Sequence, residues 1–235
     1  MTAHIFCSRG IDAEIEQNLS KLGAVPVKLC GLEKYGNHPL GCHPDMLCFN
    51  LCENKWIFYK TAYMANKDAI DGLNLEIVIE KDPSSCRYPE DVGLCAAAVG
   101  DNLICSAKYT NEKILKSKKN IIDVRQGYAK CSVCVVDENA IITSDAGICK
   151  KALQSGIDAL LIEPGHIGLD GYGYGFIGGC SGLICKNTLA FTGNIGLHPN
   201  YWDIKKFCEN RGVGIISLSE KRLYDYGSLL KQARP

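Results

Sequence analysis

The chain has 235 residues, 46% of them hydrophobic and 22% charged, and its 26 basic and 26 acidic side chains give a formal net charge of +0. That length can bury a large core, and the charge balance argues against a nucleic-acid binder working through a basic field. No apolar run approaches the roughly 20 residues that span a bilayer, and the opening MTAHIFCSRGIDAEIEQ has no charged-then-apolar leader pattern, so a cytoplasmic protein is expected.

In chain order, AHIFCSRG predicts a strand, residues 11–22 a helix and 25–29 a second strand. From His43, HPDMLCFNLCENKWIFYKT predicts a hairpin turning at Glu53-Asn54, then a helix over 65–73 and a strand over 76–79. From Pro89, PEDVGLCAAAVGDNLICSAKYT turns at Gly100-Asp101-Asn102 and leads to a helix over 111–118 and a strand over 121–124. AKCSVCVVDENAIITSDAG, from Ala129, turns at Asp137-Glu138-Asn139, with a helix over 147–155 and a strand over 159–162. GGCSGLICKNTLAFTGNIG, from Gly178, turns at Lys186-Asn187, with a helix over 200–210 opened by Pro199 and a strand over 214–218. The final LYDYGSLL matches the first strand of a fifth unit, whose remainder is the N-terminus.

The chain therefore reads as one ββαβ unit written five times, with a period of roughly 40 to 50 residues. The expected fold is α/β: a single domain over 1–235, a five-unit α/β-propeller with pseudo-fivefold symmetry. Its ring would be closed by the N- and C-terminal strands, which removes exposed sheet edges. Asp45, Asp91, Cys131, Cys180 and Gly227 would open the five first strands and crowd one end of the axis.

The stretches SSCRYPEDVGL, RQGYAKCSVCVVDENAIITSD, YGFIGGCSGLI and LYDYGSLL resemble the pentein, or guanidine-group-modifying, superfamily, and within it an uncharacterised bacterial family. The resemblance covers nearly the whole chain. It implies the five-unit propeller and, from the superfamily's arginine and agmatine deiminases, amidinotransferases and dimethylarginine hydrolases, a cysteine thiolate that attacks a guanidinium or amidine carbon. A histidine would move protons and carboxylates would hold the cation. The superfamily also contains a ribosome anti-association factor, so fold alone leaves function open. His43-Pro44-Asp45 resembles the enzymes' H-x-D motif, whereas their F-x-R-D and E-G-G-D stretches are not evident and their nucleophile lies in the last unit.

Cys131 is the candidate nucleophile, with Lys130 the neighbouring cation; the alternative is a small residue lining the axis. His43 and Asp45 are the candidate acid–base pair, or else His43 is a hydrogen-bonded loop histidine. Glu90 and Asp91 are candidate substrate carboxylates, or a solvated turn. Cys180, in IGGCSG, is a second candidate, in a turn whose glycines can turn backbone N–H groups toward a ligand. The run LDGYGYGFIGG at 169–179 reads as a lid over one mouth or as an ordered irregular loop.

The C-S-V-C spacing at 131–134 is not read as redox or zinc: residues three apart on a strand face opposite ways, no second C-x-x-C exists, and Cys134 reads as core. A zinc set of Cys42, His43, Cys48 and Cys52 is disfavoured because the residues scatter along a strand. Neither metal nor cofactor is expected. The expected function is a cysteine-dependent hydrolase or transferase of a small guanidine, amidine or related C–N compound. The alternative is a non-catalytic binding protein for a small polar ligand or a macromolecule. A small polar or cationic partner is expected, and neither nucleic acid nor membrane.

Overall fold

A computed structural model describes residues 3–31 and 38–232. In chain order, β1 (Ala3–Ser8), α1 (Ala13–Lys21) and β2 (Ala24–Leu29) come first. The one-turn helix α2 (Pro44–Leu47) precedes β3 (Cys48–Cys52), β4 (Lys55–Tyr59), α3 (Lys60–Ala65), α4 (Lys67–Asp71) and β5 (Glu76–Glu80). Next are β6 (Ala97–Val99), β7 (Asn102–Cys105), α5 (Glu112–Leu115) and β8 (Asn120–Asp123). A second one-turn helix, α6 (Ala129–Ser132), leads to β9 (Cys134–Asp137), β10 (Ala140–Thr143), α7 (Ala146–Gln154) and β11 (Asp158–Leu161). Finally come β12 (Ser181–Cys185), β13 (Thr188–Phe191), α8 (Tyr201–Glu209), β14 (Gly214–Ser217) and β15 (Leu230–Lys231).

The strands form five three-stranded sheets, ordered β15-β1-β2, β3-β4-β5, β6-β7-β8, β9-β10-β11 and β12-β13-β14. In each, the middle strand pairs antiparallel on one side and parallel on the other. The antiparallel partner is reached by a tight turn, except for β15, which comes from the far end of the chain. The parallel partner needs a crossover, which α1, α3 with α4, α5, α7 and α8 supply. Middle strands are the most apolar: WIFY of β4 and AIIT of β10 are wholly buried.

Four apolar clusters join each sheet to the next. Phe6 and Leu29 pack with Trp56 and Phe58, and that cluster continues to Leu94 and Leu103 of the third unit. Val99 and Ile104 meet Val133 and Ile141. Val136 and Ile142 meet Leu189 and Phe191. Ile184 and Ala190 return to Ile5 and Ile15. The N- and C-terminal strands do pair, Ile5 with Lys231 and Phe6 with Leu230.

Three expectations change. A ring closed as a sheet is not found: among the described residues the five sheets are separate, and side-chain packing links them. Asp45 and Cys131 open no strand; each sits on a one-turn helix ahead of one. The helix expected over 65–73 is two short helices, because Asn66 turns its side chain back to the Ala62 carbonyl and to the backbone of Cys30. No described helix is long and apolar enough to cross a membrane.

Phe6 is fully buried, edge-on to Trp56 and Phe58 at 4.9 and 5.8 Å. Phe6→Ala should cost about 3–5 kcal/mol in urea unfolding, whereas Leu197→Ala, 61% exposed, should stay within about 0.5 kcal/mol. Equal small costs would refute a core at this junction.

Candidate active site

His43 precedes a proline and is extended, with φ −74° and ψ 112°. Pro44 then starts α2, which carries Asp45. On the other side α6 carries Lys130 and Cys131 and ends at Val133. These two short helices bring a ring nitrogen of His43, a carboxylate oxygen of Asp45 and the Cys131 Sγ within 4.8 Å of one another. All three side chains are buried.

Asp225, which the sequence reading passed over, completes the group. Its Oδ1 lies 3.7 Å from His43 Nδ1. Oδ2 accepts the Phe176 N–H at 2.9 Å and Oδ1 the Gly227 N–H at 3.0 Å. A Cβ on Gly179 would fall 1.9 Å from Asp225 Oδ1, so only glycine lets that backbone lie under the carboxylate. Gly227, with φ +80°, leaves no room for a Cβ beside His43. Ser228 follows with φ 73°, a rare backbone region for a residue with a Cβ. There its Oγ accepts from Lys130 Nζ at 3.0 Å and donates to Asp45 Oδ2 at 2.6 Å. The signal for Asp225 was present: Asp225-Tyr226-Gly227 repeats Asp91-Val92-Gly93.

The buried charges are held weakly. Burial pushes His43 down to about 4, against the pull of Asp45, so the ring is neutral at pH 7. Burial pushes Asp225 up to about 6, opposed by the Phe176 and Gly227 amides. Asp45 is also raised by burial; His43 opposes this and the charge of Asp225 adds to it. Asp45 Oδ1 and His43 Nδ1 have no hydrogen-bond partner among the described residues. Cys131 is raised well above an ordinary thiol, first by the neighbouring Cys95 thiol at 3.7 Å, then by burial and by Asp45. Lys130, expected to act on this thiol, is instead committed to Ser228.

Cys131 and Asp225 line a cavity of about 240 Å³ whose other walls are aromatic, including Tyr128, Tyr172 and Phe176. The 169–179 loop forms much of that wall. It is ordered by backbone bonds from Gly168 to Leu223 and from Gly175 to Ile167, and by Asp225. Of the other expected residues, Asp91 is buried behind this cavity's wall, where Tyr128 donates to its Oδ2 at 2.9 Å and burial raises it. Glu90 is exposed and forms no ion pair among the described residues. Cys180 is buried in the neighbouring core, its thiol donating to the Ile177 carbonyl at 3.4 Å. Cys134 is core, as read, and packs in a different cluster from Cys131.

The arrangement offers a thiol and a carboxylate at the base of an aromatic cavity, with a neutral imidazole and a second carboxylate beside them, a set suited to nucleophilic attack with proton transfer. The nitrogen, oxygen and sulfur donors of His43, Asp45 and Cys131 are also close enough to share a divalent ion.

A family model, that of a family of unknown function (DUF6873), matches residues 6–230. A comparison with curated proteins finds no match. Among solved structures, an agmatine deiminase of C. jejuni is similar with a TM-score of 0.58 and 10% identity, over 100% of this chain and 93% of that one. An amidinotransferase of the saxitoxin biosynthetic pathway from Microseira wollei has a TM-score of 0.55 and 10% identity, over 92% and 88%. DDAH from Pseudomonas aeruginosa, complexed with citrulline, has a TM-score of 0.51 and 11% identity, over 93% and 92%. At such identities the likeness is one of fold, and the fold is that of the penteins.

Two measurements check this geometry. Native Asp225 keeps its proton to about pH 6, whereas the unfolded residue loses it near pH 4. Its contribution to stability is therefore full below about pH 4 and lost as pH rises through about 6, by up to about 3 kcal/mol. His43 contributes the opposite slope, lost as pH falls toward about 4. Asp225→Asn should remove only the first, so stability in urea unfolding should rise more steeply from pH 4 to 7 for the variant than for the wild type; parallel curves would contradict a titrating Asp225. Diamide should couple Cys95 to Cys131, seen as one crosslinked peptide pair by mass spectrometry; crosslinks elsewhere alone would contradict the sulfur contact.

Proposed function

The chain belongs to the DUF6873 family, and we propose that this member is a cysteine-dependent hydrolase or transferase of a small guanidine, amidine or related C–N compound. The observation that carries this is the convergence of Cys131, His43 and Asp45 within 4.8 Å, with Asp225 beside His43, below a cavity. We take the five units to form a closed propeller, a reading supported by the packing that returns from the fifth sheet to the first. Near the axis of such a ring, side chains from units that are not neighbours converge. A histidine in the second unit and a cysteine in the fourth can then meet, unlike the order in the superfamily's enzymes.

A planar cation fits this site for two reasons. The aromatic walls favour it by cation–π contact, and the buried carboxylates of Asp45 and Asp225 lack a full counter-charge. Contact with Cys95, burial and the nearby carboxylates keep Cys131 protonated. A cation seated beside it favours the thiolate, and neutral His43 can accept the thiol proton. The sulfur then attacks the central carbon of the guanidinium. The C–N bond breaks, and the leaving amine departs with the proton from His43. His43 next takes a proton from water, or from a second amine. The new C–O or C–N bond forms, the C–S bond breaks and the thiol is restored. Water gives a hydrolase and an amine gives a transferase. The names of the similar structures, a deiminase, an amidinotransferase and DDAH, agree with this chemistry.

Binding without catalysis is the second reading, favoured by the deep burial of Cys131, 2% exposed, and by its raised thiol. Acid quenching after mixing with agmatine, arginine, dimethylarginine and benzamidine separates the two. A covalent amidino adduct should map to Cys131, vanish in Cys131→Ser and form about 10²–10⁴-fold more slowly in His43→Ala. No adduct and no turnover with any compound, alongside a rise in melting temperature with one of them, would leave the binding reading standing.

A further inference from the structure

A second cavity, of about 220 Å³, lies on the other side of the Lys130–Ser228–Asp45 chain. Asp45 and Lys130 line it, whereas Cys131 and Asp225 line the first cavity. Its walls come from β3, β6, β9, β12 and β15 and are mostly apolar, among them Phe49, Leu94 and Leu229. Three cations line it, Lys118, Lys130 and Lys231, against a single acid. That acid, Asp45, already accepts from Ser228. Neither Lys118 nor Lys231 forms an ion pair among the described residues, although most other surface lysines named in contacts do. Trp56 is part of the wall, 1% exposed, and its Nε1 has no hydrogen-bond partner among the described residues. A buried donor left unmatched costs stability unless something accepts from it.

We propose that this second cavity binds a small organic anion with an apolar body, a short-chain monocarboxylate. The carboxylate meets the lysines, which offer charge-assisted hydrogen bonds, and the alkyl part lies against the apolar strands. The volume is below the roughly 300 Å³ at which drug-sized pockets begin, which restricts the ligand to a few heavy atoms. The inference is independent of catalysis at Cys131. It does link the two cavities: an anion that draws Lys130 Nζ away from Ser228 alters the hydrogen bond that Ser228 gives to Asp45.

The protein carries its own reporter. It has two tryptophans, and Trp202 is 70% exposed on α8. Trp202→Phe therefore leaves Trp56 as the only indole emitter. Titrating this variant with 3-methylbutanoate should give a saturable change in Trp56 emission, at least about tenfold tighter than with neutral 3-methylbutanamide or with inorganic phosphate. Adding Lys118→Gln and Lys231→Gln should weaken carboxylate binding at least about tenfold while the melting temperature holds. Calorimetry on the same samples covers the case of a silent indole. Absence of both heat and emission change overturns the proposal, as does equal binding of the amide, equal binding of phosphate, or indifference to the two lysine changes.

Discussion

The site depends on one buried carboxylate. Asp225 is placed under two backbone amides, over the bare Cα of Gly179 and 3.7 Å from His43 Nδ1. Its contact with Phe176 orders the 169–179 loop, and its contact with Gly227 shapes the turn that places Ser228 against Asp45. Removing an ionised group from water is costly, and here two amides and the charge of Lys130 only partly offset it, so its pKa rises to about 6. Carboxylates held in this way gain a partner when a cation enters.

Glycine makes the close packing possible. A Cβ at Gly179 would meet the Asp225 carboxylate and one at Gly227 would meet His43, so neither position has room for a side chain. The rare left-handed backbone at Ser228 belongs to the same junction, and such strain concentrates where a site must be held in place. The five sheets support the junction through apolar clusters that link neighbour to neighbour.

Protonation at the site is set mainly by burial. His43 is neutral and the carboxylates are raised because burial disfavours charge, and Cys131 is held as a thiol first by its contact with Cys95 and then by burial. A buried thiolate beside two carboxylates would be repelled; a thiolate beside a bound cation would not. On this reading substrate binding and nucleophile activation are one electrostatic event, and water-exposed thiols elsewhere in the chain are not competitors for it.

Asp45 and Cys131, read as opening strands, lie on one-turn helices ahead of them, but the sequence by itself determined the four hairpins and the crossover helices that follow them. These follow from alternation, turn residues and proline, which act over a few neighbours. It misread what is decided by distance. Cys180 and Asp91 stood at the same repeat position as Cys131 and Asp45, yet the one thiol turned into a core and the one carboxylate is held by Tyr128 behind the cavity wall. Lys130, read as a neighbour of the thiol, was taken by a serine from the far end of the chain. Only the tertiary structure selected Asp225 and Ser228, because their partners lie across the fold, 183 residues apart for Ser228 and Asp45. A repeat states which positions are equivalent in one unit; the packing of five unequal copies decides which of them meet.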